Sequence, residues 1–210
     1  MIRLAGHLLG VMPATYLLTL ALLGGMGANP IEWLTHQSGK WALILLLASL
    51  TISPLMRLFG KMRIGTGPRS LQLNFKKIMP WRRLLGLYAF FYALAHFSIY
   101  LVFDLSFVFS SLWADIQKRP YITVGFLAFI TLLLLALTSS NYSRKKLGRN
   151  WVTLHRLVYV AGALALLHFF WLIKADFYRF WWYGLAFALL MCLRLPALKK
   201  ITLTINPAAK

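Results

Sequence analysis

The chain has 210 residues, 60% of them hydrophobic, and a mean hydropathy of +0.69, which excludes an ordinary soluble domain of this size. Its 23 Lys and Arg against four Asp and Glu give a net charge of +19, whose placement reads as a membrane-orientation signal and excludes a nucleic-acid role. A lone cysteine, Cys192, excludes an intramolecular disulfide and a CxxC redox pair, and reads as a small apolar packing residue.

A membrane-spanning helix needs about 20 mainly apolar residues, because it rises about 1.5 Å per residue and the hydrocarbon is about 30 Å thick. Six stretches meet that requirement, roughly 4–24, 41–59, 81–103, 121–139, 151–173 and 177–196. The runs are continuous rather than alternating, so the predicted fold is an all-α integral membrane protein, a six-transmembrane-helix bundle, and not a β-barrel. Short connections leave room for one domain only, residues 1–210.

In chain order, the first segment opens with Arg3 but carries an apolar run longer than a signal-peptide core, so it counts as a span. Pro13 and Pro54 predict kinks in the first and second segments, and Pro196 ends the sixth. Trp33, Trp81, Trp113, Trp151, Trp171, Trp181 and Trp182 fall near segment ends and read as interface anchors.

Most basic residues lie on the side that holds the N-terminus. The connection between segments two and three carries Arg57, Lys61, Arg63, Arg69, Lys76, Lys77, Arg82 and Arg83, and the one before segment five carries Arg144, Lys145, Lys146 and Arg149. All four acids, Glu32, Asp104, Asp115 and Asp176, fall on the opposite side. Lys and Arg accumulate in cytoplasmic loops, so both termini of this multi-pass chain are expected in the cytoplasm.

Histidines carry the chemistry. His96 lies within segment three, and His155 and His168 within segment five. An ionisable group inside hydrocarbon is costly, which points to a proton path, a metal or a haem. His96 is fifteen residues past Trp81, about 22 Å at the helical rise, and His168 is seventeen past Trp151, about 25 Å, so the two sit level toward the outer face. His155 is about 6 Å past Trp151, near the cytoplasmic face, where His7 is the only histidine of similar depth. His36 falls in the first external loop or at the start of helix two; for it and for His7, a headgroup-facing role and a ligand role stand side by side.

Thirteen residues at 100° each fall about 140° short of four full turns, so His155 and His168 do not share a face of an ideal helix. Gly162, between them, is the expected place for local adjustment. No carboxylate or thiolate cluster accompanies these histidines, which argues against structural zinc and di-iron carboxylate sites. Level imidazoles on separate apolar helices suit a haem b clamped between them, with two levels making an electron path.

GHLLGVMPATYLL, ANPIEWLTHQSGKWALILLLASLTISPL, RRLLGLYAFFYALAHFSIYL, KRPYITVG, LTSS and RKKLGRNWVTLHRLVYVAGALALLHFFW together resemble the MsrQ family, formerly YedZ, over nearly the whole chain. That family is the haem-binding membrane subunit of a periplasmic protein-methionine-sulfoxide reductase system and is ferric-reductase-like. The resemblance implies that His96, His155 and His168 hold ligand positions and that His7 and His36 fall where the family has histidines. Helix three carries a single histidine instead of the spaced pair of wider ferric reductases, which leaves an inner haem without an obvious sixth ligand.

The resemblance also implies electrons from the quinone pool or a cytoplasmic flavin reductase, delivered to a periplasmic molybdopterin reductase of the MsrP type, and an FMN. No phosphate loop supports the FMN, because GTGP at 65–68 is too short and no flanking strand or helix is expected. The basic 57–83 segment reads as a solvated, lipid-facing loop, with an FMN phosphate or an acidic flavoprotein as the alternative contact. Two further readings remain: a ferric reductase working alone, and a proton-coupled transporter using the histidines as a relay, the latter weakened by the lack of membrane carboxylates.

Overall fold

The computed structural model describes residues 2–59, 62–64, 71–73, 78–172 and 177–195. Its elements are α1 (Ile2–Leu22), α2 (Pro30–Phe59), β1 (Met62–Ile64), β2 (Leu71–Leu73), α3 (Met79–Ile99) continued by a π-helical turn Tyr100–Asp104, α4 (Phe109–Lys118), α5 (Pro120–Leu137), α6 (Asn141–Leu147), α7 (Arg149–Leu154), α8 (Leu157–Leu172) and α9 (Phe177–Cys192). Five helices are long and apolar enough to cross a membrane: Leu4–Leu22, Pro30–Arg57, Met79–Asp104, Pro120–Leu137 and Arg149–Leu172. The apolar part of α9, Trp181–Cys192, is shorter, about 18 Å at the helical rise. Pro196 lies outside the described residues.

The core forms where α2 meets its neighbours. Leu46 and Leu50 of α2, Ala89 of α3 and Ala161 of α8 are almost wholly enclosed. The closest pairings are α2 with α3 and α5 with α8, while α1 lies against α3. Small residues let these backbones approach: a Cβ on Gly10 would stand 2.2 Å from the Tyr88 ring, and one on Gly162 would stand 2.7 Å from Phe187 of α9. Gly162 therefore serves packing and is not a point of bending.

Segment five breaks elsewhere, at His155–Arg156 between α7 and α8. Arg156 N–H donates to Thr153 O at 3.1 Å and Tyr159 N–H to Arg156 O at 3.0 Å, the i to i−3 spacing of a tighter turn. Tightening advances the angular phase faster than 100° per residue, which narrows the offset of about 140°, and both rings reach the α5 segment, His155 at its C-terminal Thr138 and His168 at Tyr121. Pro54 is carried inside α2 without ending it. Having no N–H, it frees the Leu50 carbonyl, and Arg194 after α9 donates Nη2 to that oxygen.

The connection after α3 and its π-helical turn carries α4, whose Phe109 and Trp113 are exposed while Ser111 and Asp115 line the cavity. Two expectations are corrected, on the 60–77 connection and on Cys192. The 60–77 connection is not free of strands: β1 and β2 pair antiparallel with Met62 opposite Leu73, flanking residues 65–70, which are outside the described set. A hairpin lacks the following helix of a phosphate loop, so GTGP gains nothing from it. Cys192 is exposed on the bundle surface rather than packed inside.

Candidate functional site

His96 on α3 and His168 on α8 face one another across a cavity of ≈ 860 Å³ that opens toward α4. Their ring centroids are 6.1 Å apart and their planes are inclined by 76°. Each ring is anchored by its Nδ1, at 2.8 Å from Thr35 O of α2 for His96 and at 2.7 Å from Tyr121 O of α5 for His168. A carbonyl oxygen only accepts, so each Nδ1 carries the proton and donates it, and each Nε2 keeps a lone pair.

The two anchors are built alike. Gly39 lies four residues after Thr35, and Gly125 four residues after Tyr121. A Cβ on Gly39 would meet His96 Nδ1 at 3.0 Å, and one on Gly125 would meet His168 Nδ1 at 2.6 Å. Each imidazole thus lies flat in the gap a glycine leaves and reaches the carbonyl one helical turn earlier. The signal was present in the sequence as THQSG and YITVG, small residues within reach of a buried histidine, but only the packing pairs each glycine with its ring.

The donor set can be tested against a metal group. Two metal–nitrogen bonds of about 2 Å, with about 1 Å from nitrogen to ring centre on each side, span about 6 Å between facing imidazoles. The observed separation matches. Two protein nitrogens leave a metal short of ligands, and among the described residues no three His, Cys, Asp or Glu side chains gather to supply more. A porphyrin brings four equatorial nitrogens of its own, so two axial imidazoles in an apolar cavity of this size fit a haem.

Phe97, Phe126 and Phe129 wall the cavity, with Phe97 and Phe129 stacked at 4.7 Å. Polar groups collect at its mouth. Tyr100, on the widened π turn, donates its hydroxyl to Asp115 of α4 at 2.6 Å, and Arg119 lies 3.3 Å from the same carboxylate. That carboxylate holds the Arg119 guanidinium above the usual arginine range. Lys40 and Arg119 are the cations lining the mouth, suitably placed for a carboxylate-bearing ligand. Tyr100, Asp115 and Arg119 were not singled out in the sequence, since nothing local marks Tyr100 as reaching a helix that follows it.

The remaining histidines are dispersed. His36 lies within α2 at the cavity mouth, 3.8 Å from Glu32, and is half exposed. His155 is at the α7–α8 break, stacked on Trp151 at 4.0 Å with Nε2 3.2 Å from Thr138 Oγ1. Thr138 gives its own hydroxyl proton to Leu134 O, so His155 Nε2 is the donor in that pair. Trp151, expected as an interface anchor, is tied inward by donating Nε1–H to Thr138 O at 2.9 Å. His7 is exposed on α1, with Nδ1 3.0 Å from the Tyr88 hydroxyl. The structure therefore brings His96 and His168 together and keeps His155 and His7 apart from them.

Residues 38–166 match the family described as ferric reductase like transmembrane component, a stretch that includes His96 and His155 and ends just before His168. The protein-methionine-sulfoxide reductase heme-binding subunit MsrQ of Ralstonia nicotianae is 41% identical over 196 residues, 92% of this chain and 84% of that protein. The Bordetella pertussis protein of the same name is 40% identical over 90% of this chain and 85% of its own length. The Xanthomonas axonopodis pv. citri protein is 44% identical over 72% of this chain, an alignment that spans 63% of that protein.

Proposed function

The chain belongs to the MsrQ family, within the ferric-reductase-like transmembrane components, and from that premise we propose that it is a transmembrane b-type cytochrome serving a protein-methionine-sulfoxide reductase. The observation that carries this reading is the facing pair His96 and His168, each with its Nδ1 proton committed to a backbone carbonyl and its Nε2 free. A haem b bound there would supply one-electron transfer, with the two imidazoles and the apolar walls tuning its potential.

The residues divide the work. His96 and His168 would hold the haem iron through Nε2; Thr35 O and Tyr121 O hold the rings in one tautomer and raise their basicity. Phe97 and Phe129 exclude water from the cavity, and Lys40 and Arg119 offer counter-charge at its mouth. His155, at the opposite level of the same helical segment, is assigned to an inner haem, with His7 and His36 as the lower-ranked ligand candidates.

In this reading the chain crosses the bacterial inner membrane six times with both termini in the cytoplasm. Electrons enter from a quinone or a cytoplasmic flavin reductase, with FMN as a further cofactor for which no residues are assigned. They leave at the α4 side for a periplasmic molybdopterin reductase of the MsrP type. Each methionine sulfoxide takes two electrons and two protons to yield methionine and water, so the membrane subunit delivers electrons and the soluble partner performs the bond chemistry.

Purified from haem-sufficient cells, the protein is expected to show a Soret band and reduced b-type α and β bands. In proteoliposomes, a donor confined to the cytoplasmic side should drive sulfoxide loss by the reductase outside. Colourless protein would overturn the cytochrome reading; electron delivery to ferric chelates but not to the reductase would replace it with a ferric reductase.

A further inference from the structure

At the end of the bundle remote from the His96–His168 cavity, three arginines converge on one face of α2. Leu50, Ser53 and Arg57 succeed one another at the i, i+3, i+7 spacing of that face. Arg194 reaches Leu50 O, Arg82 at the start of α3 donates Nη1 to Ser53 Oγ at 3.2 Å, and Arg57 donates Nη1 to Leu193 O at 3.2 Å, beside Arg194. The three guanidinium groups therefore lie within a few residues of one another, held by neutral oxygens.

Among the described residues no side-chain carboxylate pairs with them. Glu32 opens α2, Asp104 closes the π turn and Asp115 is on α4, all at the cavity end, and the fourth acid of the sequence, Asp176, is outside the described residues. The flanking 60–77 and 196–210 segments contain five and three Lys or Arg and no acidic residue, so they add only positive side-chain charge. Arg194 itself is half buried. It donates Nη1 to Leu190 O and lies 5.3 Å over the Tyr159 ring, but its Nε–H is buried without a partner.

Three like charges held by neutral acceptors, with a buried donor left over, make an arrangement suited to an anion. A planar guanidinium offers paired N–H groups that match phosphate oxygens, and three of them can share one phosphoryl group. We propose that Arg57, Arg82 and Arg194 form a phosphate-binding site at the α2–α3–α9 end of the bundle. Its ligand is a phosphoryl group, presented either by an anionic phospholipid headgroup or by a soluble phosphate ester. The assignment does not depend on the electron-transfer reading, because none of its residues touches the histidine cavity.

The full-length chain in phosphatidylcholine nanodiscs provides the test, with phosphatidylglycerol and inorganic phosphate as separate probes and thermal melting plus native mass spectrometry as readouts. Saturable binding is expected, weakened about tenfold in Arg82→Gln and in Arg194→Gln, whereas the Lys145→Gln/Lys146→Gln control on α6 changes it less than about twofold. Arg194→Lys keeps the charge without the fork and should bind between wild type and Arg194→Gln; Arg82→Gln, which loses only one hydroxyl contact, carries the test if Arg194→Gln does not fold. Binding of phosphatidylglycerol unaffected by inorganic phosphate identifies a lipid site, and competition by inorganic phosphate identifies a site for soluble esters. The proposal falls if neither probe binds saturably, or if the α6 control loses as much affinity as the arginine variants.

Discussion

His168 lies in the gap left by Gly125: a Cβ there would stand 2.6 Å from Nδ1, the atom that donates to Tyr121 O. The glycine and the carbonyl one turn before it form a cradle that sets both the height and the tautomer of the ring. Gly39 and Thr35 do the same for His96, with a looser 3.0 Å approach. Two unrelated helix pairs, α2 with α3 and α5 with α8, thus present their imidazoles in the same way.

Gly125→Ala should accordingly displace His168 and cost about 1–3 kcal/mol of stability through overpacking. Haem content per polypeptide, measured by pyridine haemochrome, should drop with it. Gly39→Ala is expected to do the same more weakly, because His96 has more room; equal retention of haem in Gly125→Ala and wild type would refute the cradle.

His168→Ala and His96→Ala should each remove the outer haem, because either leaves a single axial nitrogen in an apolar cavity. The two variants should share one reduced spectrum. A spectrum that survives in both would show that the pair is not the ligand set.

His155→Ala is expected to lower haem content by roughly half and to leave the outer signal in place, since its ring is separate from the His96–His168 cavity. Thr138→Val removes the acceptor for Nε2 and should leave haem content unchanged if that nitrogen turns to the iron. Redox titration resolves the two levels; loss of both signals in His155→Ala would mean that the levels are not independent.

Tyr100→Phe deletes the hydroxyl bonded to Asp115 and should destabilise the protein by about 1–2 kcal/mol, an effect of one hydrogen bond to a charged group. Thermal melting of Tyr100→Phe and Asp115→Asn, singly and combined, separates that bond from the rest of the mouth. Additive losses would show that the two groups are not coupled.

Class and chemistry were legible in the sequence. Hydropathy alone requires membrane helices, because a backbone in lipid must satisfy its own hydrogen bonds, and counting the helical rise from Trp81 and Trp151 puts His96 and His168 at one level. The charge asymmetry is likewise a property of the chain, read without coordinates. What the sequence could not contain is rotation and pairing. Whether His96 points at His168, which carbonyl each Nδ1 meets and that segment five breaks at His155 rather than Gly162 all depend on how helices pack, through contacts 47 to 61 residues apart. The same holds for Arg194, whose partner is a carbonyl freed by Pro54 on α2. Local pattern determines which residues can enter the membrane at a given depth; packing of small residues against large ones decides which of them meet.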